Sequence, residues 1–274
     1  MNYNFSKHII LILFFIFTNI KGQTNEVGLF LGGSLFHGDI GYKNAEYALL
    51  NTRPVLGLSY KRNFNYHFGI SLIFHRGQLY ANNRETFDPF TIEQNLHFKS
   101  KITEIGLITE FNFRPYLSRD ANYNFTPFIF TGITKFYFNP QAKYTDGNWY
   151  NLNTLYTEGQ DADFYLVRTS YELHGISIPF GFGYKINIYD FLTVNMNFGW
   201  RISFTDYIDD TSTNYTNTNN MSEIATMLSD PSENNFSEGF QRGDPYNNDK
   251  YGFIGITLLY SIKDPSNECN NIIY

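Results

Sequence analysis

"GISIPFGFGYKINIYDFLTVNMNFGWRISF", residues 175–204, changes character at almost every position. From Ile176, the residues Ile178, Phe180, Phe182, Tyr184 and Ile186 are large and apolar, and Ser177, Pro179, Gly181, Gly183, Lys185 and Asn187 fall between them. After a break at Tyr189-Asp190 the pattern resumes, with Leu192, Val194, Met196, Phe198, Trp200, Ile202 and Phe204 set against Thr193, Asn195, Asn197, Gly199, Arg201 and Ser203. A sustained period of two reads as a pair of β-strands with one oily face and one small or polar face. Their length points the same way. Strands of soluble domains average about five or six residues, whereas crossing hydrocarbon at a tilt takes about nine to eleven.

The period recurs along the 274-residue chain. Val27, Leu29, Leu31 and Leu35 alternate with Gly28, Gly32 and Ser34; Leu56, Leu58 and Tyr60 alternate with Gly57, Ser59 and Lys61. Phe68, Ile70, Leu72 and Phe74 face away from His67, Gly69, Ser71 and a less tidy Ile73. Thr103, Ile105, Leu107, Phe111 and Phe113 oppose Glu104, Gly106, Glu110 and Asn112. The stretch 125–138 reads with Phe128, Phe130, Phe136 and Phe138 as its apolar face, and Ile254, Ile256, Leu258 and Tyr260 close the series against Gly255, Thr257 and Ser261. Eight strands result. Connections near 63–65, 115–123 and 188–190 are short; those near 37–52, 83–97, 139–170 and 205–250 are long. Strict alternation puts all short turns at one end and all long loops at the other.

The expected fold is therefore all-β: an eight-stranded antiparallel transmembrane β-barrel over residues 23–262, with short periplasmic turns and long extracellular loops. A soluble barrel of the lipocalin kind would also alternate, with its apolar side inward. Composition separates the two. The polar face is mostly Gly, Ser, Thr and Asn, sized to fill a narrow interior. Aromatics reach 19% and charged residues only 17%, against about 25% in ordinary soluble domains. A bilayer admits only a closed sheet, because an open edge leaves backbone groups unpaired in hydrocarbon.

Lys7 and His8, the apolar run 9–17 and the small residue Gly22 read as a signal peptide over residues 1–22. Its removal takes Lys7 and Lys21 and moves the net charge from -6 to -8, a poor balance for nucleic-acid binding. A polar periplasmic tail, "KDPSNECNNIIY" (263–274), would follow the last strand. It carries Cys269, the one cysteine, so no intrachain disulfide is available; the thiol would pair with another chain or stay single.

The polar parity directs Glu104, Glu110 and Arg114 of the fourth strand, Lys135 of the fifth, Lys185 of the sixth and Arg201 of the seventh into the lumen. Buried charges persist when paired, so a salt-bridged plug is one reading and a selective pore or proton path the other. Eight strands enclose a space just filled by side chains, which favours the plug. Histidines 37, 67, 75, 97 and 174 meet no catalytic pattern: His67 and Ser71 share a face but stand about 13 Å apart along a strand. The acidic loop from Asp206 to Asp249 lacks the spacing of a calcium loop. No enzyme activity and no cofactor is expected. "SEIATML" (222–228) carries its own cap and predicts one or two helical turns over the barrel mouth.

Three segments carry a resemblance: "EVGLFLGGSLFHGDIG" (26–41), "IPFGFGYKI" (178–186) and "FTDYIDD" (204–210). They resemble the PorG-type outer-membrane β-barrel proteins of the Bacteroidota, which are associated with type IX secretion. The resemblance implies an integral component of the secretion and gliding machinery, surrounded by outer-membrane lipid. It implies partners in the periplasmic ring subunits, a lipoprotein and its companion, and brings no catalytic residues. Within the strand-exit motif Phe204 ends the lipid face, Thr205 follows, and Tyr207 would sit in the aromatic interface belt. Asp206, Asp209 and Asp210 open the long loop and would accept backbone hydrogen bonds that set its departure angle. A stand-alone protein of envelope integrity or surface adhesion, acting through its long loops, is the competing reading.

Overall fold

A computed structural model describes residues 24–41, 51–118, 124–160 and 170–262. The expected signal peptide (1–22), the tail (263–274) and Cys269 lie outside the described residues. Barrel strands are β1 (Thr24–His37), β2 (Arg53–Asn63), β3 (Phe68–Asn82), β4 (His97–Asn112), β5 (Phe125–Tyr137), β8 (His174–Tyr189), β9 (Leu192–Ser203) and β10 (Lys250–Ile262). Between β5 and β8 the long loop folds into a small hairpin, β6 (Pro140–Lys143) and β7 (Trp149–Asn151), which extends the edge of β4. Two short helices sit in the long loops, α1 (Pro89–Gln94) and α2 (Glu223–Ser229). Ser222 caps α2 by accepting the Ala225 amide, as its sequence predicts.

Every barrel neighbour is antiparallel, in the order β3-β2-β1-β10-β9-β8-β5-β4. The sheet then closes on itself: β3 pairs with β4 from Phe68↔Phe111 to Asn82↔His97. No edge strand of the barrel is left, which is the condition for lying in hydrocarbon. No helix of the described residues is long and apolar enough to cross a membrane. Those strands run 11 to 16 residues. The short connections are 64–67, 113–124 and 190–191; the long ones are 38–52, 83–96, 138–173 and 204–249. Both ends of the barrel chain, at Thr24 and Ile262, lie at the short-turn end.

The faces follow the parity of the sequence on most strands. Leu56, Leu58, Leu72, Leu107, Phe182 and Ile256 are among the exposed apolar side chains of the outer wall. Together they make a broad apolar band around the outer wall. Gly181, Gly183 and Gly199 of β8 and β9 point inward, as expected.

Strand β5 is the exception. Phe128 and Phe136 are buried inside and Phe130 lines the interior, while Ile129, Ile133 and Tyr137 form the outer face. The expected assignment of this strand is thus reversed, and Lys135 goes outward with Ile133. Packing gives the cause. A side chain on Gly199 or Gly181 would run into the Phe130 ring, and one on Gly183 into the Phe128 ring. The glycine faces of β8 and β9 leave a trough that only large side chains from β5 fill to interior density. Higher in the lumen Phe30, Phe36, Phe98, Phe136, Tyr251 and Phe253 join one buried cluster with Leu79, Ile102 and Ile208. That cluster lies toward the long-loop end.

Candidate functional site

Two constellations carry chemistry: charged layers inside the barrel and an acidic junction at its long-loop mouth. Alternation sends the polar side chains of β1, β2, β4 and β8 inward at one level near the short-turn end. Glu110 of β4 sits between two lysines there, 2.6 Å from Lys61 of β2 and paired with Lys185 of β8. Glu26 of β1 lies 3.8 Å from Lys61. Two acids and two lysines make the layer neutral, the condition under which buried charges persist. Tyr116, from the turn after β4, closes the layer beneath Lys185, 4.8 Å from the ring centre, and its hydroxyl bonds Asn187 and Thr193 at 2.8 and 2.6 Å.

A second layer lies toward the mouth. Arg201 of β9 grips Glu104 of β4 with two parallel bonds of 3.1 and 3.2 Å, and its remaining fork donates to the Gly199 carbonyl at 2.8 Å. Bidentate geometry makes this the stronger kind of ion pair. Tyr251 donates to the same carboxylate at 2.8 Å, and His75 approaches it at 3.2 Å. Between the layers lies a void of about 80 Å³, lined by Ser59, Ser71, Asn195, Asn197 and Thr257 among others. Phe30, Ile73, Ile108, Phe128, Phe130 and Leu259 also line it, so waters would gather on the polar side.

Of the six expected lumen charges, Glu104, Glu110, Lys185 and Arg201 are brought together in these layers. Arg114 and Lys135 are not. Strand β4 ends at Asn112, so the parity that would turn Arg114 inward has lapsed; it is exposed, its guanidinium 4.0 Å over the Phe125 ring. Lys135 follows the reversed β5 to the outer surface, over the Tyr137 ring. Glu26, Lys61, His75 and Tyr251 are members that sequence reasoning missed. For Lys61 the signal was in plain view, on the same polar face as Gly57 and Ser59. His67 and Ser71 remain apart in function: His67 contacts the Asn112 carbonyl at the turn, and Ser71 lines the void.

At the mouth the strand-exit motif does more than end a strand. Phe204 stays on the outer face, 62% exposed. Thr205 accepts the Asp249 amide on its carbonyl, joining the two ends of the long loop. Asp209 accepts the Ile40 amide at 3.0 Å and the Thr211 amide at 3.0 Å, the backbone role expected of it. Asp210 takes the hydroxyls of Thr157 and Tyr171 and lies 3.9 Å from Arg242. Arg242 in turn binds Glu158 at 3.0 Å and the Ser229 carbonyl at the end of α2. Tyr207 departs from expectation. It leaves the interface belt and stacks on Tyr171 at 4.5 Å, and Tyr171 stacks on the inward Phe138. A ring there finds apolar contact on both sides, which the rim does not supply.

Burial and like charge shift these acids upward. Asp206, buried with Asp39, Glu158 and Asp244 in its field, is pushed to about 8. Burial raises Asp209 well above the carboxylate range, with Asp39 and Asp206 adding to it, and Asp249 follows for burial and for Asp209. Burial lifts Asp210 to about 7, against the pull of Arg242. Among the described residues no group of three or more His, Cys, Asp or Glu is arranged to hold a metal ion.

The model of one protein family, described as a domain of unknown function (DUF6089), matches residues 6–271. The chain belongs to this family. No curated protein matches it. Solved structures similar to this DUF6089 chain are small barrels. Ail of Yersinia pestis, in complex with the heparin analogue sucrose octasulfate, is 10% identical with a TM-score of 0.41, covering 88% of this chain and 100% of that one. Neisserial surface protein A is 8% identical at 0.42, with the same coverage. The outer membrane protein OprG of Pseudomonas aeruginosa is 11% identical at 0.40, covering 88% and 99%. These overlaps are loose, and the closed barrel stands on its own strand register.

Proposed function

We propose that this DUF6089 protein is an exported, non-enzymatic barrel of the outer membrane that anchors components of the type IX secretion and gliding machinery. The signal peptide would deliver it, lipid would cover its apolar wall, and ring subunits would meet its short-turn end. One observation supports this reading above the others. Two of the three segments that resemble PorG-type proteins, "EVGLFLGGSLFHGDIG" at 26–41 and "FTDYIDD" at 204–210, lie far apart in the chain but join through the Ile40 amide and Asp209. A resemblance shared by two segments that form one junction is more than a common strand pattern. The filled lumen supports the anchoring rather than the conducting role, since two neutral charge layers and an aromatic cluster occupy it.

Affinity purification of the tagged protein from native outer membranes in mild detergent tests the proposal. Periplasmic ring subunits recovered in fixed proportion are the expected result; the barrel alone, correctly folded, would reject the secretion role. A steady conductance in planar bilayers would reject the filled-lumen reading. The stand-alone reading draws support from the loop crown, where Phe87 and Tyr246 are 70% and 93% exposed. Excising most of 211–249 would spare secretion but abolish surface binding under that reading.

A further inference from the structure

The charges of the barrel strands are sorted by face. All three acids on those strands, Glu26, Glu104 and Glu110, point inward. The outward positions carry no Asp or Glu, yet they carry six Lys or Arg in a chain of net charge -6. Five of the six stand at the long-loop half, and three of those gather on two neighbouring strands. Arg76 of β3 is paired with Thr103 of β4, so Lys101 is its diagonal neighbour, and Lys99 follows two residues along the same face. Diagonal and same-face neighbours sit about 7–8 Å apart. Among the described residues none of the three forms an ion pair with an acid. The acid of the adjoining hairpin, Asp146, is taken up by Asn148 and Tyr150.

From this patch and its place we infer a binding site for the phosphate of an anionic lipid headgroup, in the leaflet on the long-loop side. The patch lies at the upper margin of the apolar band, just above Phe74 and Ile105, where acyl chains give way to headgroups. Long basic side chains there keep their stems on hydrocarbon and raise their charges to headgroup level. Lys99 is already held in place, its ammonium 3.9 Å above the Trp149 ring. An aromatic and three cations without acid partners complement a headgroup with an acidic phosphate and an apolar neighbour. Water-soluble anions would meet the same charges but would gain nothing from the apolar band below. The inference rests on the barrel being membrane-embedded, which the test reads separately.

The test uses the full mature chain carrying Trp200→Phe, so that Trp149 is the reporter beside the patch. The protein is placed in phosphatidylcholine vesicles, and acyl-chain-brominated phosphatidylcholine reports embedding through the tyrosines and Trp149. Phosphatidylglycerol with brominated chains is then titrated in. Preferential quenching of Trp149 by phosphatidylglycerol is expected, weakened about a hundredfold by Arg76→Gln/Lys99→Gln/Lys101→Gln at roughly fivefold per charge. Lys99→Arg/Lys101→Arg should keep the preference, which excludes a folding defect. Arg62→Gln, at the opposite rim, should leave it unchanged. Equal quenching by both lipids, or equal loss in the triple variant and in Arg62→Gln, overturns the inference while leaving embedding intact. Competition by millimolar inorganic phosphate at equal strength overturns it too, in favour of a free-anion site.

Discussion

Replacing Glu110 by glutamine tests whether the lower lumen layer is held by charge balance. In the native layer one carboxylate serves two fully buried lysines, Lys61 at 2.6 Å and Lys185. Glutamine keeps the shape and one acceptor but removes the charge. Lys61 retains Glu26 at 3.8 Å, whereas Lys185 has no other acid among the described ion pairs. Leaving one buried cation uncompensated costs about 3–5 kcal/mol, a large share of the roughly 5–15 kcal/mol of a typical fold. Adding Lys185→Met removes the orphaned cation and leaves Lys61 with Glu26, a neutral pair. The double variant should therefore be more stable than Glu110→Gln alone by about 2 kcal/mol or more, a coupling that a double-mutant cycle isolates. Reversible urea unfolding of the barrel in lipid vesicles measures both. If Glu110→Gln loses less than about 1 kcal/mol, or if the two changes simply add, the layer is not held by its charge balance.

Gly199→Ala should destabilise the barrel by about 1–3 kcal/mol, because the new methyl group meets the Phe130 ring and the Phe180 carbonyl. Adding Phe130→Leu should recover part of the loss in the same unfolding assay, and no recovery would break the trough argument. The mouth should weaken as pH rises. Asp206 is held near 8 and Asp210 near 7, above an ordinary carboxylate near 3.9, so the protonated forms are favoured in the folded crown. Their contribution is complete below about pH 4 and is lost as pH climbs through 7 to 8. Hydrogen exchange at the Ile40 and Thr211 amides, corrected for intrinsic rate, should show less protection at pH 9 than at pH 6; Asp206→Asn should flatten the dependence. Arg242→Met strips the cation from buried Glu158 and Asp210, a loss of about 3–5 kcal/mol confined to the crown. Limited proteolysis should cut within 211–249 while the strands stay protected, and an uncut loop would contradict the role given to Arg242.

How much of this was legible in the sequence depended on whether a strand carried one oily face or two. On β8 and β9 the inward side is Gly, Ser, Thr, Asn, Lys and Arg, so parity named the lumen without ambiguity. On β5 both sides are apolar, Phe128, Phe130 and Phe136 against Ile129, Ile133 and Tyr137, and a single strand's period cannot choose between them. The deciding facts are the inward glycines of β8 and β9, remote in sequence and adjacent only once the barrel closes. The error then propagated to Lys135, whose face is inherited from its strand. Arg114 failed differently, because parity extrapolates past a strand end that the sequence does not mark. Tyr207 failed because its partner, Tyr171, comes from another loop.

The acids at the mouth pose a problem that stability alone does not solve. Among the described residues Asp206 has neither oxygen in hydrogen-bonding geometry, although the Ser212 side chain lies near. Asp249 uses one oxygen on the Ile208 amide and leaves the other buried without a partner. An apolar or amide side chain in those places would avoid both the desolvation and the mutual repulsion with Asp209. What the carboxylates do provide is geometry. Asp209 ties the turn after β1 to the exit of β9, Asp249 ties the start of β10 to the same exit, and Arg242 ties Glu158 and Asp210 to the end of α2. Three long loops are thereby fixed to one another over the aromatic cluster that fills the upper lumen. A barrel that needed only to be sealed would have no use for such a costly junction. A barrel whose crown must hold one arrangement does, and the turn after β1 and the exit of β9 meet there through the Ile40 amide and Asp209.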